Sequence, residues 1–168
     1  VILTVTGSVL TVLAALNLLY SAFCAFTWGK FEMMDYGVYT NMLWNSAHGH
    51  LFKHHMILSY LYTHLSFSLL LLAPLFLAWN SPVLLLFVQW GMVVCGACIL
   101  VKTLRIQGVA PAMISALVFM LVGHRFTQSA LMSEFHGIAD YYLLVPWLYY
   151  CLSLGKRSAW FPLVMILG

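Results

Sequence analysis

Between Lys53 and Lys102 the chain contains no Asp, Glu, Lys or Arg, and from Val1 to Thr27 it contains none either. Uncharged stretches of that length exclude an ordinary soluble domain, and so does a composition that is 64% hydrophobic and 7% charged over 168 residues. The expected fold class is all-α, a polytopic transmembrane helical bundle. Val1 to Thr27 exceeds the roughly 20 residues that a spanning helix needs and is too long for the apolar region of a cleaved signal peptide. Seven Lys and Arg against four Asp and Glu give a formal charge of +3, too little basic character for a nucleic-acid groove. The expected partners are membrane lipids or membrane-embedded molecules, and no nucleic acid. Because the sequence opens without Met and stops inside a new apolar run after Trp160, it is expected to be part of a longer protein.

Hydropathy alone leaves the uncharged stretch open to one crossing or two, so flanking charge has to decide. Leu65 to Trp79 is short for a hydrocarbon core of about 30 Å and contains Pro74, whereas Val83 to Val101 is nearly long enough. If the first lies in the interface, Lys102 with Arg105 and Lys156 with Arg157 fall on the same side as the N-terminus, as basic residues favour on the cytoplasmic side. The expected spans are therefore about 2–27, 83–101, 107–125 and 138–154, with another starting at 159, and the external loop is 28–82. That loop reads as two surface helices. In the first, Tyr36, Tyr39, Leu43 and Ala47 share one face, expected to rest on the headgroups, with Asp35 as N-cap and Gly49 as stop.

This topology gathers all the acids and histidines on one side. Ionisable groups beside a bilayer are costly and mark candidate sites, although polar residues also collect in loops for no chemical reason. Asp35 follows the first span closely and is the candidate catalytic carboxylate. Glu134, His136 and Asp140 form a second acidic group whose oxygen donors suit Mg²⁺ or Mn²⁺. Arg125 offers a fixed cationic fork for a phosphate, and His48 and His64 are candidate donors to phosphate or sugar oxygens. Cys95 and Cys98 have redox spacing but lie in uncharged sequence with no second ligand pair, and read as packing residues.

Three motifs carry a resemblance. Asp35-Tyr-Gly-Val-Tyr, with Leu43-Trp-Asn and Ala47-His-Gly, is similar to a signature of an uncharacterised bacterial family of polytopic membrane proteins, a domain of unknown function. His64-Leu-Ser-Phe-Ser and Leu72-Ala-Pro-Leu-Phe resemble a second stretch of that family, and Glu134-Phe-His a third, with Glu in place of the more usual Asp. That family resembles the GT-C glycosyltransferases, whose first external loop carries an early acid and surface helices. The resemblance implies a GT-C-like N-terminal part in the bacterial cytoplasmic membrane. It implies a lipid-linked sugar donor carried on a polyprenyl phosphate, Asp35 in the place of the catalytic Asp, and Glu134 and His136 in that of the second motif.

Three alternatives compete with sugar transfer. His50, His54 and His55 match one histidine box of membrane di-iron enzymes, which need several such boxes. A transporter would carry ionisable groups near the middle of its spans, where 83–101 and 141–154 have none. A noncatalytic relative would keep the fold alone.

Overall fold

The computed structural model describes residues 2–29, 33–51, 53, 68–132, 139–155 and 160. Seven helices account for most of them, and the described residues contain no strand: α1 (Ile2–Thr27), α2 (Met33–Ala47), α3 (Ser68–Ala78), α4 (Val83–Ile106), α5 (Pro111–Gly123), α6 (Arg125–Met132) and α7 (Ala139–Ser153). Helices α1 and α4 contain 26 and 24 residues, or about 39 and 36 Å at 1.5 Å per residue. Both are long and apolar enough to cross a membrane. Helix α4 runs five residues past the expected end of its span, so Lys102 and Arg105 lie on the helix itself, and Lys102 Nζ stands 4.9 Å above the Tyr150 ring.

Contacts fix the direction of each helix. Thr4, Ser8 and Thr11 near the start of α1 share a cavity with Val101 and Arg105 near the end of α4, while Ala22 near the end of α1 shares a core with Leu86, Trp90 and Val93. Helices α1 and α4 are thus antiparallel. Thr27 and Val83 leave the bundle at the same end, so 28–82 begins and finishes there. A single crossing by α3 is incompatible with this arrangement.

Helix α7 runs parallel to α4: Gly96 lies against the Tyr142 carbonyl, and Tyr149 donates its hydroxyl to Gln107 Oε1 at 2.8 Å. Helix α5 runs parallel to α1, with Ser115 Oγ 3.4 Å from Ser8 Oγ and 3.3 Å from the Thr4 carbonyl to which it donates. Pro111 opens α5 at a position where the missing N–H costs nothing.

The run expected at 107–125 differs from a single helix. Helix α5 ends at Gly123, His124 takes an extended conformation (φ −68°, ψ 135°), and α6 resumes at Arg125. Ser115 lies opposite Gly7 and Ser8, and Leu131 shares a core with Ala22, so α5 and α6 follow α1 in nearly one register. They form one interrupted path along the bundle. The run expected at 138–154 is α7, and the run from about 159 lies outside the described residues except for Trp160.

Helix α2 also departs from expectation. Its apolar face does not rest outward: Tyr36, Tyr39, Met42 and Leu43 are buried with Leu72, Ala73 and Phe76 of α3 and Leu84 and Leu85 of α4. Covering that face with protein removes it from water as fully as lipid would and fixes the helix in place. The α2–α3 pair caps one end of the bundle. Gly49, at φ 88°, ends α2 in the left-handed region that a side chain disfavours.

Candidate functional site

Asp35 lies in the first turn of α2, two residues after its start, and not at the N-cap expected from the sequence. A carboxylate in a first turn is favoured by the positive end of the helix dipole. In register it precedes Tyr39 and Met42 by four and seven residues, so its Cα stands on the buried stripe of α2.

The neighbouring Tyr36 ties this turn to the rest of the molecule. Its ring packs 5.3 Å from that of Phe26 at the end of α1, and its hydroxyl donates to the Pro82 carbonyl at 2.6 Å. Burial pushes the phenol up to about 12, partly offset by the Leu86 backbone. One side chain therefore joins the end of α1, the start of α2 and the start of α4.

The far end of α2 is held by amides. Asn45, buried, donates Nδ2 to Asn41 Oδ1 and to the Lys53 carbonyl, both at 3.0 Å, and its own carbonyl accepts from the His50 amide. These bonds fold 48–51 and Lys53 back onto the helix. His48, expected to bind substrate, stacks on Trp44 with centroids 4.0 Å apart, and its Nδ1 is 2.7 Å from the Trp44 carbonyl. Its ring is exposed. Between α2 and the end of α1 a cleft of about 470 Å³ is lined by Phe26, Tyr36, Gly37, Thr40, Asn41, Trp44 and Pro82. Tyr36, the residue after Asp35, lies between this cleft and the buried stripe of α2.

The remaining candidates lie elsewhere. Arg125 is exposed at the start of α6, beyond a helix of 13 residues, about 20 Å along the bundle from Pro111. Asp140 is buried in the first turn of α7, which the contact of Tyr142 with Gly96 places beside the middle of α4. Both are thus set deeper than α2, and the structure does not bring either against it. His64, Glu134 and His136, with His54 and His55 of the histidine box, lie outside the described residues. Among the described residues, no three His, Cys, Asp or Glu side chains gather into a metal site.

Sequence reasoning missed several polar anchors: Tyr36 as a lock, Asn45 as a brace, Gln89 donating to the Ala130 carbonyl, and Thr127 buried on α6. The break at His124 had a visible signal, since a His-Arg pair follows Gly123 after an uncharged helix. No curated protein and no solved structure matches the chain. A family model described as "Predicted membrane protein (DUF2079)" matches residues 31–167, from just before α2 almost to the last residue. The chain, all-helical in its described residues, belongs to this family of predicted membrane proteins of unknown function.

Proposed function

We propose that the protein transfers a sugar from a polyprenyl-phosphate-linked donor to an acceptor hydroxyl at the α2 end of the bundle. In this reading the N-terminus is cytoplasmic and the α2 end faces outward from a bacterial cytoplasmic membrane. The observation that supports it is the antiparallel pairing of α1 with α4, which returns 28–82 to one end and seats the Asp35-bearing helix there through Tyr36 and Pro82. A lipid-anchored donor presents its reactive carbon at such an end.

In the proposed step the acceptor oxygen attacks the anomeric carbon as its proton passes to the Asp35 carboxylate. The bond from that carbon to the phosphate oxygen breaks, the polyprenyl phosphate leaves with the electron pair, and the configuration inverts. Negative charge grows on the leaving phosphate, where His64, or a Mg²⁺ or Mn²⁺ ion held by Glu134 and His136, would stabilise it; Arg125 and Asp140, set deeper than α2, and His48, at the far end of α2 from Asp35, take no part in this step.

The test is Asp35→Asn in the full chain, assayed for transfer from lipid-linked sugar. The expected loss is about 10²- to 10⁴-fold with an unchanged melting profile. Undiminished turnover removes Asp35 from the mechanism. Glu134→Gln with Mn²⁺ titration and EDTA addresses the metal, and indifference to both discards it.

A transporter is the second reading, and the interrupted path of α5 and α6 favours it, because broken helices with polar residues at the break line substrate routes. Solute uptake into vesicles, insensitive to Asp35→Asn and to sugar-lipid, would support it over transfer.

A further inference from the structure

Helix α6 differs from every other helix of the bundle in its outward face. Thr127 and Leu131 are buried, and Leu131 packs with Ala22, Leu86 and Trp90. Arg125, Gln128 and Ser129, at spacings of three and four, share the exposed side with Phe126, which is 74% exposed. The stripe begins at the break, roughly halfway along α1, and climbs toward the α2 end.

The break is itself well formed. Gln128 Nε2 donates to the Gly123 carbonyl at 3.1 Å, and the Phe126 amide donates to His124 Nδ1 at 3.3 Å, so backbone groups released by the interruption are satisfied locally. Among the described residues none pairs with the Arg125 guanidinium. A cation at mid-height facing hydrocarbon is costly, and the exposed Gln128 and Ser129 beside it add to that cost. Asp140 lies at a similar height but is buried on α7, off this stripe.

We propose that the exposed face of α6 lines a water-filled recess that opens toward the α2 end, and that Arg125 makes this recess a binding place for phosphate-bearing anions. The recess does not depend on sugar transfer and would serve a transporter equally. Its ligand chemistry, a phosphate monoester or diphosphate, could be supplied by a lipid headgroup or by a free phosphate.

The experiment uses the full chain in lipid vesicles with Cys24, Cys95, Cys98 and Cys151 replaced by Ser and a single thiol introduced by Ser129→Cys. Two membrane-impermeant methanethiosulfonates, one anionic and one cationic, are compared on the α2 side. Both are expected to react, with the anionic reagent favoured at least several-fold relative to a free thiol, and Arg125→Gln is expected to abolish that preference. Met120→Cys, on the exposed apolar side of α5, should stay unlabelled, and Leu51→Cys should label freely. Slowing of the Ser129→Cys reaction by inorganic pyrophosphate identifies a free phosphate, and slowing by farnesyl phosphate alone identifies a lipid phosphate. If Ser129→Cys is unreactive while Leu51→Cys reacts, the stripe is covered by lipid or protein and the recess is refuted. A charge preference indifferent to Arg125→Gln, or protection by neither phosphate, overturns the anion site.

Discussion

Tyr36 shows how one hydroxyl can carry an element's position. Its ordinary pKa of 10.0 is raised to about 12 because the buried phenolate would lose water without gaining a cation. The folded state therefore holds its proton more tightly than the unfolded chain does, so this contribution to stability is complete below pH 10 and is lost as pH rises through 12. Tyr36→Phe should cost about 1 kcal/mol at neutral pH through loss of the bond to Pro82. It should also flatten the alkaline limb of a thermal-melting series between pH 10 and 12. Asn45→Leu should release Lys53 from α2, detected as faster proteolysis after Gly49, because the amide bond to the Lys53 carbonyl disappears. The sequence showed which residues carry charge but not which neutral polar groups become braces. A tyrosine at a membrane end reads as an anchor whether its hydroxyl meets a carbonyl or water, and only the fold brings Pro82 to within 2.6 Å of it.

At the scale of helices, α1 and α4 could be read directly, since uncharged apolar runs leave few other outcomes. The division of 107–132 could not. Averaged hydropathy passes smoothly over Gly123, and the extended backbone at His124 depends on packing on both sides. The buried face of α2 was also hidden, because an apolar stripe has the same appearance in sequence whether it meets lipid or another helix. The α4–α7 pairing gives the sharpest prediction at this scale. Gly96 is buried with the Tyr142 carbonyl so close that a Cβ would overlap it, and the obstacle is backbone, which cannot swing aside. Gly96→Ala should force the two helices apart at a cost of about 1–3 kcal/mol or more, measured by unfolding in mixed micelles. Gly91→Ala, with open space around its Cβ position, should be nearly neutral and serves as its control.

For the molecule as a whole, the antiparallel course of α1 and α4 is the property from which the rest follows. The core that Ala22 shares with Leu86, Trp90 and Val93 returns the chain, between the end of α1 and the start of α4, to one end of the bundle. Cys substitutions at Ser8 and Ser115, whose hydroxyl oxygens are 3.4 Å apart, should form a disulfide on mild oxidation and fix α1 to α5, seen as a shift in electrophoretic mobility. The site was less legible because its parts fall at different heights: a helix of 13 residues stops short, and that sets Arg125 apart from Asp35. The shared exit of Thr27 and Val83 also governs how the chain is made. With the proposed cytoplasmic N-terminus, the insertion machinery would have to hand everything from Trp28 to Pro82, Lys53 included, through the bilayer as one looped parcel before α4 enters. A reporter enzyme fused after Gly49 and one fused after Gln107 would then mature in opposite compartments.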